Sequence, residues 1–454
     1  MKKASILLAA VLSLCTLSAC SSGSAYDLAK LPEFNTDHEF YIGEWGTPGV
    51  ERVNYELLAE AGFTSVNVEE MGDYSFGSAK FDEIMGWCDE LGLDVIVCTN
   101  AGGMNNPLPE LPGGLSVDGI DVSQYPAAIG INYWDEPYLE GLDSRVKPLV
   151  DYHLEKYGDT DLLCYVNLYP ITGGNLLGDY AEYYEKYEEV CLNRIPAQQG
   201  FISSDLYPFL EDNGDTMLHT SWLPTLEQTA QTARKHPEAM HHFFIQAVEH
   251  TGPVHYRDVG EEEFRMQFNV AMAYGVDAIS YFTFVGDGGR SGEWMFENSA
   301  LSRVDYGATR PQYVAAKTVN AEIKKIEDVY LDFDWTGAYT VVGTQNADGM
   351  NIGFDALKYT LDSLDCASQV RATQDTLIGQ FERVSDGLHA LQVVNYTDPA
   401  DGLEDLVEIT FSGDYDAAMV YIRGEMQIYQ VLEGRTRINL KAGEGAFVIP
   451  VKLS

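Results

Sequence analysis

From residue 39 onward, short runs rich in β-branched and aromatic residues alternate with longer stretches whose apolar residues recur at helical spacing. Eight such units can be counted. The strand candidates are residues 39–45, 64–70, 94–100, 128–134, 162–168, 200–205, 241–248 and 278–284. Successive starts lie 25, 30, 34, 34, 38, 41 and 37 residues apart, which leaves room in each unit for a strand, two loops and a crossover helix. Helical stretches at 49–61, 79–91 and 261–274 stop at Gly62, Gly92 and Gly275, and a strand follows each. The pattern predicts a parallel sheet closed into a (β/α)8 TIM barrel over residues 38–332. An open doubly wound sheet is the alternative, but no GxGxxG follows the first strand.

After a helical stretch at 312–330 the period changes. Segments 388–396, 406–411, 418–423, 427–432, 436–440 and 446–451 are short and alternating, with no helix between them. Asp386-Gly387, Asp401-Gly402 and Glu433-Gly434 supply turns. Residues 333–454 are therefore expected to form an antiparallel β-sandwich domain, with the boundary near 332–337.

The N-terminus has its own pattern. Lys2 and Lys3 precede an apolar run at 6–14, too short to span a bilayer but suited to the hydrophobic region of an export signal. It ends in Leu17-Ser18-Ala19-Cys20, which resembles the bacterial lipobox. The resemblance implies a signal peptide over residues 1–20, cleavage before Cys20, and a lipid on that thiol that anchors the protein to the cell envelope, facing outside the cytoplasm. Residues 21–37, opening with Ser21-Ser22-Gly23-Ser24, read as a flexible tether. An ordinary signal peptide that happens to end near a cysteine is the alternative.

Composition narrows the partners. With 28 Lys+Arg against 70 Asp+Glu, the net charge of −42 repels phosphate backbones, so nucleic acid is not an expected partner. Neutral ligands remain open. Beyond Cys15 and Cys20 the chain has Cys88, Cys98, Cys164, Cys191 and Cys366, an odd number for a disulfide framework and without zinc-ligand spacing. They read as small buried hydrophobes. No HExxH, GxSxG or metal cluster appears, and no cofactor or protein partner is inferred.

In a TIM barrel the chemistry gathers where the strands end. Those ends read Glu44-Trp45, Glu69-Glu70, Asn100, Trp134-Asp135-Glu136-Pro137, Asn167, Ser204-Asp205-Leu206-Tyr207, Gln246 with Glu249, and Tyr281. Carboxyls gathered at one rim can divide into a proton donor and a carboxylate that attacks or stabilises developing positive charge. Glu136 fits the first role, because Asp135 and burial under Trp134 would raise its pKa. The alternative is that Asp135-Glu136-Pro137 caps helix four, with Pro137 starting it, but the helical pattern begins only at 139–141 and leaves the acids in the loop.

A strand four that ends in an acidic pair followed by proline resembles clan A glycoside hydrolases, in which a Glu at this place is the acid/base. It also resembles a group of bacterial barrel proteins with Asp-Glu-Pro there. The likeness extends to Tyr165-Val166-Asn167-Leu168-Tyr169-Pro170, to Ser204-Asp205-Leu206-Tyr207-Pro208, and to the stretch from Ala273 to Thr283. It implies a nucleophile closing strand seven, where Glu249 is nearest although the strand itself carries Gln246. Asp205 is the next choice, followed by Glu70 and Glu44. Retention follows from the resemblance alone.

Sugar rings present apolar faces that aromatic side chains cover. Trp45, Trp134, Tyr207, Trp222, Tyr281 and Trp294 are rim candidates, with Glu70, Asn100, Asp135, Asn167 and Gln246 to read hydroxyls and Arg257 or Arg290 on loops above. The glycine-dense segment 286–292 reads as a lid, and His241-His242, at the start of strand seven, as structural. The expected function is a lipid-anchored glycosidase acting on neutral saccharides. The alternative is a barrel that binds carbohydrate without cleaving it.

Overall fold

The computed structural model describes residues 26–34, 38–70, 74–99, 115–251, 254–283, 311–345 and 353–454. In chain order its first elements are β1 (Tyr41–Trp45), α1 (Arg52–Glu60), β2 (Ser65–Glu69), α2 (Ala79–Leu91), β3 (Asp94–Cys98) and β4 (Ala128–Asp135). Next come α3 (Leu139–Gly141), which runs through a π turn into α4 (Lys147–Tyr157), then β5 (Leu163–Leu168), α5 (Tyr180–Tyr187) and β6 (Phe201–Ser204). β7 (Phe209–Asp212), β8 (Asp215–Leu218), α6 (Trp222–Lys235), β9 (Met240–Gln246), β10 (His250–Thr251) and β11 (His255–Tyr256) follow. α7 (Glu261–Ala273), β12 (Ala278–Phe282) and α8 (Pro311–Tyr330) complete this part.

Eight of these strands form one parallel sheet in the order β1-β12-β9-β6-β5-β4-β3-β2. This is the expected TIM barrel. Side chains alternate between two cores because strand period is two. Tyr41, Ile96, Leu163, Tyr165, Phe201 and Ala278 fill the lumen, while Ile42, Val66, Val95, Ile131, Val166, Ile202 and Phe243 face the helices.

Where the sheet meets itself, between β1 and β2, side chains replace part of the ladder. Thr64 N donates to Ile42 O at 2.9 Å. Thr64 Oγ1 accepts from Ile42 N (2.8 Å), Glu44 Oε1 from Asn67 N (3.0 Å) and Thr47 Oγ1 from Glu69 N (3.0 Å). Glu44 is thus a buried seam acceptor and is not free to serve as the second catalytic acid.

Beyond α8 lie β13 (Asp334–Val341), β14 (Ala367–Arg371), β15 (Thr376–Arg383), β16 (Leu388–Asn395), β17 (Asp405–Phe411), β18 (Ala417–Ile422), β19 (Glu425–Gln430), β20 (Arg435–Leu440) and β21 (Gly445–Val451). They pair antiparallel into a six-stranded sheet, β13-β15-β16-β21-β18-β19, and a three-stranded sheet, β14-β17-β20. Ile378, Leu391, Val393, Val407, Ile409, Ile438 and Val448 close the core between them. At about 1.5–3 kcal/mol for each fully buried aliphatic side chain, this core supplies a large favourable term of its own.

The sandwich packs on α7 and α8. α7 is consequently buried nearly all round, from Phe264 to Ala273. Gly379 of β15 is required by that contact, because a Cβ there would lie 2.3 Å from the carbonyl oxygen of Ala273. Cys88, Cys164, Cys191 and Cys366 are buried thiols, and Cys98 is half-buried; all five are free.

Candidate active site

The end of β4 is shaped by an irregularity in its pairing with β5. Asn132 faces Tyr165, Trp134 faces Val166 and Asp135 faces Asn167, so Tyr133 is the extra residue of a bulge. Tyr133 and Trp134 both join the helix-facing core, and Asp135 turns to the lumen side. Glu136 then adopts φ +51°, the left-handed region that costs a non-glycine residue about 1–3 kcal/mol. Its N–H donates to Asn167 O at 2.9 Å, and the helical turn begins only at Leu139. Pro137 enforces this break, since proline disfavours a helical conformation at the residue before it.

Asn167, at the end of β5, joins two acids. Its Nδ2 donates to Asp135 Oδ1 and to Asp205 Oδ1, each at 3.0 Å. Those two carboxylate oxygens therefore lie within about 6 Å of each other. The amide oxygen accepts from Ser203 Oγ at 2.8 Å.

Three carboxyls crowd this spot; burial raises the pKa of each, and repulsion adds to the shift at Glu136 and Asp205. Glu136 is pushed furthest, to about 10, by desolvation and then by the charges of Asp205 and Asp135. Asp205 is pushed to about 7 by desolvation and Asp135, against hydrogen bonds from Asn167 and Tyr207 that favour its ionised form. Asp135 is also raised by burial, which the Asn167 amide opposes. This order favours the proton on Glu136 over Asp205 at neutral pH. The trio is a proton donor beside carboxylates.

Aromatic rings surround the acids. The charges of Glu136 and Asp205 act on Tyr169, Tyr207 and Tyr256, which are all half-buried. Tyr138 stands 5.9 Å from Tyr169, and Tyr207 is stacked on Phe282 at 5.0 Å and edge-on to Tyr256 at 5.9 Å. Trp45 packs edge-on to Phe244 at 5.5 Å. Inserted after β6 and β9, the strands β10-β11-β7-β8 form a small antiparallel sheet that brings Tyr256 to this rim. Gln246 holds that sheet down. Its Oε1 accepts from Phe209 N (3.0 Å), and its Nε2 donates to Arg257 O (2.9 Å) and Phe209 O (3.3 Å).

No family model and no curated protein matches this chain. Among solved structures it is similar to a GH27 β-L-arabinopyranosidase from Geobacillus stearothermophilus (9% identity, covering 94% of this chain and 98% of that one, TM-score 0.48). It is also similar to α-galactosidase I from Mortierella vinacea (10%, 92% and 97%, 0.49) and a GH30 endoxylanase from Clostridium papyrosolvens (8%, 92% and 98%, 0.46).

Of the residues singled out from sequence, Glu136, Asp135, Asp205, Asn167 and Tyr207 come together, with Trp45 on the same lumen side of β1 as Tyr41. Several others do not. Trp134 is 2% exposed under Arg145, whose guanidinium lies 5.1 Å from its ring, so the bulge removes it from the mouth. Tyr281 points outward and donates to Asn320 of α8 at 2.8 Å. Trp222 is buried against Phe209 and Tyr396. Gln246 and Asn167 have their amides fully committed and cannot read sugar hydroxyls as expected. Glu249 is paired with His255 at 3.0 Å, and the charges that dominate at Glu136 are Asp205 and Asp135. The exposed Glu70 accepts from Phe76 N at 2.8 Å and caps its own loop. Arg257 reaches the sandwich, donating to Asp398 at 2.6 Å. His241 lies among the helices, bonded to Thr229 at 2.8 Å, whereas His242 sits in the lumen, bonded to Ser203 at 2.9 Å.

Asn100, Trp294, Arg290, segment 286–292 and Cys20 lie outside the described residues. Sequence reasoning missed Tyr138, Tyr169 and Tyr256. The first two stand beside the quoted motifs, but nothing in the local pattern marks Tyr256, which arrives through tertiary pairing of β11 with β7.

Proposed function

We propose that this protein is a glycoside hydrolase acting on neutral saccharides, with Glu136 as the proton donor and Asp205 as its partner carboxylate. The observation that carries this reading is the clustering of half-buried Glu136, Asp135 and Asp205 at one rim, the last two joined by the Asn167 amide, beside the half-exposed rings of Tyr169, Tyr207 and Tyr256. Glu136 protonates the glycosidic oxygen as it leaves. Asp205 supports the positive charge that develops on the anomeric carbon. Burial, Asp205 and Asp135 together raise the Glu136 pKa, and Tyr169, Tyr207 and Tyr256 offer ring faces and hydroxyls to the sugar.

Retention, with Asp205 attacking the anomeric carbon, is the outcome that the clan A resemblance favours. The test is a panel of aryl glycosides with product anomers followed by NMR. Glu136→Gln and Asp205→Asn should each abolish turnover of any glycoside cleaved by the wild type while sparing sugar affinity. Full turnover in both variants would remove the reading; sugar binding without turnover in the wild type would favour the non-hydrolytic barrel.

The export signal and lipid on Cys20 belong to the same proposal. They are supported by Leu17-Ser18-Ala19-Cys20. Asp27 N donates to Leu453 O (3.0 Å), Tyr26 OH to Asp416 O (3.0 Å) and Arg383 Nη1 to Glu33 O (2.9 Å). The chain therefore runs along the sandwich before entering the barrel at the N-terminal end of β1, opposite the acids. The lipid would sit on Cys20, ahead of this stretch. Incorporation of labelled fatty acid that is lost in Cys20→Ala tests it.

A further inference from the structure

The two N–H groups of Asn167 serve the site only while its amide points one way. Turned over, its carbonyl oxygen would face Asp135 and Asp205 and repel both. Asp135 and Asp205 favour that direction from one side, and the opposite, buried end of the amide adds a second constraint.

There the lumen holds a chain of hydroxyl and imidazole groups. Ser203 Oγ lies 2.8 Å from Asn167 Oδ1 and 2.9 Å from His242 Nδ1, and His242 Nε2 lies 2.8 Å from Ser280 Oγ. Ser203 has a single proton. Given to Asn167 Oδ1, it obliges His242 Nδ1 to carry the hydrogen that Ser203 accepts, which leaves Nε2 bare to accept from Ser280. Every group in the row then has a partner, and both Asn167 hydrogens face the acids. Sent the other way, the row aims a carbonyl oxygen at two carboxylates.

Burial among Tyr41, Tyr165, Phe201 and Phe244, with His241 beside it, holds the His242 pKa down to about 3, so the ring stays neutral and keeps one donor and one acceptor. Gly43 makes room for the row, since a Cβ there would stand 2.6 Å from Ser280 Oγ.

Resting on the hydrolase reading of the same site, we propose that Ser203 and His242 are positioning residues. Through the Ser280–His242–Ser203 row they fix the direction of the Asn167 amide and so hold the Asp135 and Asp205 carboxylates in register. The groups that bear on Asp205 are Asp135 and Glu136 from the end of β4, Asn167 and Tyr169 from β5 and its loop, Tyr183 and Tyr184 from α5, Tyr207 beside it and Tyr256 from β11.

The experiment combines histidine ¹⁵N spectra, aspartate carboxyl ¹³C titrations and kinetics on the whole protein. The wild-type His242 should show the Nδ1–H tautomer at neutral pH. Ser203→Ala should move the Asp205 midpoint up by about 0.5–1 pH unit and lower kcat about tenfold, with KM within about twofold. Ser203→Thr, which retains the hydroxyl, should recover most of both. The Nε2–H tautomer in the wild type, or a folded Ser203→Ala protein with an unmoved Asp205 midpoint and unchanged kcat, would overturn the proposal. The tautomer and titrations need no substrate, so a failure to cleave any glycoside would sink the hydrolase reading while leaving this one to be judged separately.

Discussion

Asn167 Nδ2 stands 3.0 Å from Asp205 Oδ1, although the two residues come from neighbouring strands and are 38 positions apart in the chain. The same nitrogen reaches Asp135 at 3.0 Å, so one amide carries two acids whose burial would otherwise favour protonation of both. Asn167→Ala is expected to lower kcat about 10–100-fold with little change in KM, because the carboxylates lose a shared donor but the aromatic rim is left in place. Steady-state kinetics on any cleaved aryl glycoside checks it.

The pH profile follows from the two raised carboxyls. Asp205 must be ionised, so activity should rise as pH climbs through about 7; Glu136 must be protonated, so activity should fall as pH passes about 10. A kcat/KM profile centred between those limits is the expected result. An optimum near pH 4–5 would contradict the assignment.

Holding Glu136 in this cluster also has a stability consequence. Its folded pKa is raised above the unfolded value, so ionisation opposes folding: the folded state is favoured below the unfolded pKa, and that advantage is lost as pH rises toward the folded one. Glu136→Gln removes the titration and with it the cost of keeping this carboxyl protonated above its unfolded pKa. A rise in Tm of about 2–4 °C at pH 8, shrinking toward pH 4, is expected by differential scanning calorimetry alongside the loss of activity.

Gln246 occupies the strand position at which the sequence resemblance implied a nucleophile. Its amide donates to two backbone carbonyls, of Phe209 and Arg257, and a carboxylate can do neither. Gln246→Glu should therefore give no gain in turnover and cost about 2–3 kcal/mol of stability in denaturant unfolding. Glu249→Gln, by contrast, should change kcat by less than about twofold, since Glu249 is engaged with His255 on the inserted sheet.

Arg257 ties that inserted sheet to the sandwich. Its guanidinium lies 4.8 Å from the Phe209 ring and donates to Glu263 (3.0 Å) and Asp398 (2.6 Å), all with little exposure. Breaking such a buried pair from one side leaves a charge without its partner. Arg257→Ala should cost about 3–5 kcal/mol in chemical denaturation, and raise KM by loosening the wall that carries Tyr256.

The eight-unit alternation, the change of period after α8 and the acidic end of β4 were all legible along the chain, because each is a local pattern: apolar spacing selects strand or helix, glycine ends the helices, and proline after Glu136 stops the next one from starting early. The first three sandwich strands were not legible. β15 carries Gly379 and Gln380 in its middle, residues that weaken a strand signal and are explained only by α7 lying against Gly379 and by the bonds of Gln380 to Thr336 and Asp365.

The roles of the mouth residues divide along the same line. Residue type and strand order were enough to bring Glu136, Asp205 and Asn167 to one rim. Which way each side chain turns depended on tertiary pairing. A one-residue bulge in β4 sends Trp134 outward and Asp135 inward; an inserted sheet consumes Gln246 and supplies Tyr256; the β1/β2 seam takes Glu44. Strand alternation has a period of two, so a single extra residue reverses the facing of everything after it, and no local pattern carries that information.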